Sequence, residues 1–406
     1  MKGSLRTVGS WSTILGLLLL TVLIMSPAVS LHAQVNAVYV ESNIGTTTGG
    51  NTVIGYSNDG TGHLTLLPGS PYSTGGTGVI PPSGQPLGFQ TDDDQQIIIN
   101  KAGTKLFAVN GRSNTIASFT IGSNGSLTPN GLPKSSAGTQ PASLGLFDGV
   151  LGGGGSLLVA VNKSSDPGQI NPKAPNVVSF TVASSGTMTA NVGSKISYAS
   201  GDSPSQAAIG KGNLAFVMEF MGVPSKIDSY RIHKNGKLTF NNEVDVPTGN
   251  LFLGEVVHPT QNFLFAALPA DSAIAVYSYS TSTGQLSFVT TAPVSGLLPC
   301  WMAINADGSR VYTGNTMSVD VSVVDTSNPS APVEIQTIGL SGGGAGPSNV
   351  RLDPTGKFLY VVAGLNLHIM NVASDGTLSE TVSPVALPVP TSSLLNTHPR
   401  SGKCCM

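Results

Sequence analysis

One phrase recurs along this chain: an apolar strand, a turn, a second apolar strand, a polar loop, a third strand, a glycine turn and a fourth strand. Its clearest copies begin at Ser348, Cys300 and Ile97. Anchored on the second strand, the copies fall at Tyr39, Phe107, Val159, Phe216, Phe265, Tyr312 and Tyr360, spaced by 68, 52, 57, 49, 47 and 48 residues. A unit of four short strands, repeated about every 40–50 residues, cannot bury its apolar faces alone and is the sequence pattern of a β-propeller. Solenoids of this period are mostly helical, and the helical pattern is absent here. The repeat therefore predicts an all-β chain folded as a seven-bladed β-propeller with four-stranded blades.

Local chemistry agrees. Segments such as Ile116 to Ile121, Val177 to Val182 and Ile274 to Tyr279 alternate with period two and are rich in β-branched and aromatic residues. Asn124-Gly125, Asn235-Gly236, Asp307-Gly308, Thr355-Gly356 and Asp375-Gly376 stand between strands and supply the positive φ that tight hairpins need. Composition points the same way. The chain holds 50 Gly and 27 Pro with only 10% charged residues, against about 25% in ordinary soluble domains. Much of the polar surface is thus Ser, Thr, Asn and Gln, which suit strands and turns better than helices.

The ends carry a closure device. The first repeat begins at its second strand, Ala37 to Val40, with no first strand before it. After the last complete repeat, Ser392 to Lys403 repeats the pattern of Ser348 to Lys357. The C-terminal segment is therefore expected to supply the first strand of blade 1, with Ser392 to Leu395 beside Val38 to Val40. Each end then completes one blade, and no open sheet edge is left. On this reading residues 34–403 form one propeller and 404–406 a tail.

Residues 1–33 read as a signal peptide: Lys2 and Arg6 precede an apolar run from Ile14 to Met25, then Pro27 and small residues, with cleavage after Ser30 or Ala33. The run is short for a spanning helix, which needs about 20 residues. The expected location is exported, periplasmic or extracellular, with no stable membrane span after cleavage. Net charge is −2, from 19 basic and 21 acidic residues, so nothing favours nucleic acid. Cys300 reads as a buried small hydrophobe; Cys404 and Cys405 are either a frayed end or an intermolecular disulfide.

The phrase P-S-x-V-x-x-x-P-x-G-K-x-L-Y-V, best matched at Pro347 to Val361, Pro299 to Tyr312 and Lys101 to Val109, resembles the YVTN-type and lactonase-type seven-bladed propellers. The resemblance spans the mature chain. It implies enzymes of the 6-phosphogluconolactonase and carboxymuconate-lactonising kind, which work without metal or other cofactor at the ring's central opening with His, Arg and Glu. In blade 4, Glu219 stands near the family's Glu, but Ser205, Gln206 and Ala207 fill the Arg-His place. Blade 3 begins Pro141-Ala-Ser-Leu, again without His.

Loops after second strands and the starts of first strands share one rim, which places Arg112, Lys163, Asp166, Glu219, Glu255, Asp271 and Asn349 there. Each is a solvated rim residue unless neighbours argue otherwise. Glu219 has apolar neighbours, Phe216 to Met221, which would raise its pKa. The catalytic candidates are Glu219 as water-activating group with Arg112 or Lys163 as cation. The ligand-binding candidates are Glu255, Asp166, Asp271 and Asn349. The six His lack ligand spacing, Asp92 to Asp94 lacks a calcium loop, and Gly152 to Gly155 lacks the Lys-Ser/Thr of a phosphate loop. Two functions are expected: a binding propeller taking a small molecule, glycan or protein on its rim, favoured by the missing His and Arg, or a lactone hydrolase.

Overall fold

The computed structural model describes residues 36–45, 50–79, 95–151, 155–166, 169–221, 224–248, 251–388 and 404–405. The signal segment and residues 392–395 lie outside them. Seven antiparallel sheets follow one another along the chain. All seven anchor residues sit on second strands: Ala37–Glu41, Lys105–Asn110, Gly155–Asn162, Leu214–Met221, Phe263–Leu268, Arg310–Asn315 and Phe358–Ala363. The seven-bladed propeller expected from the repeat is the fold observed.

Burial shows why these strands stack as blades. Alternate residues of each second strand face opposite neighbours. Leu106 and Ala108 pack with blade 1, whereas Phe107 and Val109 pack with blade 3. Seven apolar clusters result, one at each junction between neighbouring blades, and the cluster joining Tyr360 and Ile369 to Val40 and Ile54 closes blade 7 on blade 1. First strands abut all round the ring, from Ile97–Ile99 through Pro141–Leu151, Ser203–Gly210, Glu255–Val257, Pro299–Ile304 and Pro347–Leu352 to Cys404–Cys405 and back.

A polar clasp repeats beside the clusters. In blades 2, 3, 4, 5 and 7 the hairpin glycine before the fourth strand has φ near +80° to +90°, open to Gly without strain, and its carbonyl accepts a hydroxyl from the preceding blade. Tyr39 donates to Gly125 at 2.6 Å, Ser118 to Gly186 at 2.9 Å, Ser179 to Gly236 at 2.5 Å, Ser229 to Gly284 at 2.6 Å and Tyr312 to Gly376 at 3.0 Å.

Two details depart from expectation. The fourth strand is continuous in blades 4, 5 and 6 but split into two short segments in blades 1, 2, 3 and 7. Interruptions such as Pro68-Gly69 and the 3-10 turn Val192–Ser194 break its ladder. Blade 1 does receive its first strand from the C-terminus, but through Cys404–Cys405, paired with Val40 and Tyr39, so this pair is ladder rather than tail. Among the described residues no helix is long and apolar enough to cross a membrane.

Candidate functional site

The second strand of blade 4 reads Leu-Ala-Phe-Val-Met-Glu-Phe-Met. Leu214, Phe216 and Met218 face blade 5, and Ala215 and Val217 face blade 3. Period two continues the latter face to Glu219, so its carboxyl enters the junction of blades 3 and 4. It is fully buried, at 0% exposure. In blades 2, 3 and 6 the matching ladder position, the last paired with the third strand, is Asn110, Asn162 or Asn315. Each of those amides donates to its own third strand: to Thr115 Oγ1 at 3.1 Å, to Asn176 Oδ1 at 3.1 Å, and to Asp320 Oδ1 at 2.6 Å. Blades 5 and 7 place Leu268 and Ala363 there, and blade 1 a second buried carboxyl, Glu41. An ionised Glu219 has no proton to donate, so blade 4 holds a titratable group where three blades hold a latch.

The third strand, Lys226–Ile232, brings the partners. Lys226 pairs directly with Glu219, and Asp228 is its diagonal neighbour on the same face. Lys226 Nζ lies 3.7 Å from Glu219 Oε1 and 3.0 Å from Glu243 Oε2. Asp228 is 3% exposed; its Oδ2 accepts from the Tyr230 hydroxyl at 2.7 Å, and that hydroxyl lies 2.9 Å from the hydroxyl of Tyr198 in blade 3. Among the described residues, both oxygens of Glu219, Asp228 Oδ1 and Ser203 Oγ are buried with no hydrogen-bond partner. Orphan polar atoms gathered in one junction single it out as a candidate site.

Burial pushes Glu219 up to about 8, the Asp228 charge adds to this, and Lys226 opposes it. Asp228 is also raised, chiefly by burial, against the Tyr230 hydrogen bond and Lys226. Burial pulls Lys226 down, but Glu243, Glu219 and Asp228 outweigh it and hold the ammonium charged. Both tyrosines are driven well above the usual phenol range, first by burial, and stay neutral donors.

A cavity of ≈ 470 Å³ opens on the rim at this junction, lined by Ser164, Ser165, Lys173, Ser200, Asp202, Ser203 and the prolines 172 and 175. Ser203 pairs with Met221 and Pro204 with Glu219. The carboxyl therefore stands one ladder step behind the cavity wall.

The other expected residues disperse. Arg112 grips Asp166 through two bonds, Nε to Oδ2 at 2.7 Å and Nη2 to Oδ1 at 2.9 Å, and Gln140 Oε1 accepts the Asp166 N–H. Together they fix the loop after blade 3's second strand. Lys163 is fully buried, with Nζ 5.3 Å from the centre of the Phe220 ring. The cation recorded beside Glu219 is Lys226, at 3.7 Å. Glu255 begins blade 5's first strand, and Gln206 clasps its backbone, accepting the N–H at 2.6 Å and donating to the carbonyl at 2.8 Å. Asp271 lies in a 3-10 turn and accepts from Thr248 at 2.7 Å. Asn349 is buried in blade 7's first strand. Sequence reasoning missed Lys226, Asp228, Tyr230, Tyr198 and Ser203. The available signal was Lys-x-Asp-x-Tyr, three polar residues on one face of a third strand. Among the described residues no group of three or more His, Cys, Asp or Glu is placed to hold a metal ion.

Fold and site together define a seven-bladed β-propeller with a titratable cluster between two blades. Residues 176–334 match the family model described as lactonase, 7-bladed beta-propeller, so the resemblance to lactonase-type propellers is borne out over a segment that contains Glu219, Lys226 and Asp228. No curated protein matches. Three solved structures are similar in fold. A protein from Lactobacillus plantarum aligns at 17% identity and TM-score 0.67, covering 87% of this chain and 97% of that one. A candidate 6-phosphogluconolactonase from Bacteroides fragilis aligns at 15% and 0.67, covering 88% and 97%. The periplasmic gluconolactonase of Pseudomonas aeruginosa aligns at 14% and 0.66, covering 86% and 96%.

Proposed function

We propose that the protein is an exported, lactonase-type hydrolase that opens a small lactone or related ester in the cleft between blades 3 and 4. The observation that carries this reading is Glu219, a fully buried carboxyl raised to about 8, with a cation 3.7 Å away, behind the wall of a polar cavity. Once ionised, Glu219 takes a proton from a water molecule that attacks the lactone carbonyl. Ser203 at the cavity wall, its Oγ buried without a hydrogen-bond partner, is the donor available to the developing oxyanion. The ring C–O bond then breaks, and the proton held by Glu219 passes to the leaving alkoxide. No metal takes part in these steps. The apolar run after Lys2 and Arg6 supports export.

One observation favours a binding propeller instead. The place where the family carries Arg-His holds Ser205 and Gln206, and Gln206 is committed to the backbone of Glu255. The ligand would then be a small molecule, glycan or protein on the rim. A lactone hydrolysis panel decides between the two. Turnover that rises with pH and levels off above about 8, after subtraction of uncatalysed hydrolysis, supports the hydrolase; no turnover on any lactone or ester leaves the binding propeller.

A further inference from the structure

We propose that Glu219 and Asp228 form a carboxyl pair that holds one proton between them, with Asp228 acting as the positioning residue that decides when Glu219 becomes a base. The inference rests on the hydrolase reading for its consequence in catalysis, but the pair itself stands on geometry.

The two carboxyls are diagonal neighbours on one face of blade 4, both out of water. Two carboxylates buried as diagonal neighbours on one strand face cannot both be ionised cheaply; one keeps its proton and can donate it to the other. Such a proton would satisfy an oxygen on each side, and Glu219 Oε1, Oε2 and Asp228 Oδ1 are buried there without a hydrogen-bond partner. The surroundings decide which carboxyl is the anion. Tyr230 donates to Asp228 Oδ2 and is itself tied to Tyr198, so the hydroxyl pair stabilises Asp228 as the charged member. The remaining charged groups around the pair are Lys226 and Glu243, on the third and fourth strands, and Asp202 at the cavity wall. Lys226 supplies one positive charge. It leaves the pair room for a single negative charge below the pH at which the proton is lost.

When the proton leaves, Glu219 becomes the base, and the Asp228 anion has delayed that event to higher pH. Replacing Asp228→Asn removes the anion yet keeps an oxygen that can accept from Tyr230. Replacing Tyr230→Phe removes the hydroxyl that favours ionised Asp228. The test is isotope-edited NMR of the Glu and Asp side-chain carboxyls of the full chain, followed with pH and assigned by loss of signals in E219Q and D228N. In the wild type, the two carboxyls should titrate in coupled steps, both responding to each proton lost. In D228N, Glu219 should titrate in one step at a pH lower by roughly one unit or more, the separation that coupled sites show. In Y230F, Asp228 should take up its proton at higher pH. Where lactone turnover is present, its rising limb should move down with D228N by the same amount. Independent, uncoupled titrations, or a Glu219 titration unmoved in D228N, overturn the pair. Coupled titrations in a protein without turnover would uphold the pair while removing the hydrolase reading, so the two failures are distinguishable.

Discussion

Glu219→Gln should make this protein more stable, and only above about pH 5. The carboxyl's ordinary value is 4.5, and in the fold it is raised to about 8. Between those values the folded state binds the proton more tightly than the unfolded chain. Stability therefore falls as pH rises through that window, because the folded state must keep its proton or ionise in a buried place. At about 1.4 kcal/mol per pH unit, the cost is about 3 kcal/mol at neutral pH and about 5 kcal/mol once Glu219 is ionised in both states. Gln keeps the shape, carries no charge at any pH, and its amide can donate to Asp228 as Asn110, Asn162 and Asn315 donate in their own blades. Guanidinium unfolding of wild type and E219Q at about pH 4, 7 and 9 measures the effect. The two proteins should coincide at the acid end and separate by those amounts toward the alkaline end, with similar m-values. A difference that stays constant across pH, or an E219Q protein less stable at about pH 9, would refute the claim that the fold holds this carboxyl protonated.

The same substitution should lower lactone turnover by roughly 10²- to 10⁴-fold, the usual contribution of a positioned base; unchanged turnover in purified E219Q removes Glu219 from the mechanism. Lys226→Met should leave Glu219 without its cation and move the rising limb of the pH–rate profile further up, whereas Arg112→Ala should leave that profile in place and loosen the 163–169 loop, seen as faster hydrogen exchange there. Deleting residues 390–406 removes Cys404–Cys405 from Tyr39 and Val40 and should lower the melting temperature and the solubility; a truncated chain that melts like the full one would show that the ring does not depend on its C-terminal strand.

The fold was legible because its signals are local. Period-two runs, aromatic anchors and Gly hairpins each act within a few residues, and seven copies reinforce one another, so every anchor from Tyr39 to Tyr360 landed on a second strand. The closing strand was only half legible. The motif Ser392 to Lys403 pointed to the C-terminus, but which residues pair with Tyr39 and Val40 is a matter of register, and Cys404–Cys405 fills the place. The site was legible as one residue, Glu219, an acid amid apolar neighbours. Its partners were not, because they come from across the ladder rather than from loops that share the rim. Arg112 and Lys163 follow second strands as Glu219 nearly does, but each is turned to its own contacts. Lys226 and Asp228 reach Glu219 through strand register and the side of the blade they share.

The comparison among blades gives Glu219 its meaning. A repeat architecture offers one position several times: blades 2, 3 and 6 hold Asn there as a latch between second and third strands, blades 5 and 7 hold Leu268 and Ala363, and blade 1 holds a second buried carboxyl, Glu41. An amide there donates to the third strand at any pH. A carboxylate in blade 4 forfeits the donor, is buried beside Asp228, and leaves both its oxygens without a hydrogen-bond partner among the described residues. Packing alone would favour the amide by the few kcal/mol worked out above. A buried residue that costs stability where half of the other blades carry an amide is expected where a protein does chemistry or grips a ligand. Tyr198 fits the same logic: it crosses from blade 3 to place its hydroxyl against Tyr230, so the acid pair is held from both blades whose junction forms the cavity. A ligand entering that cavity would meet Ser203 and Asp202 at the wall, with the shared proton of Glu219 and Asp228 one ladder step behind it.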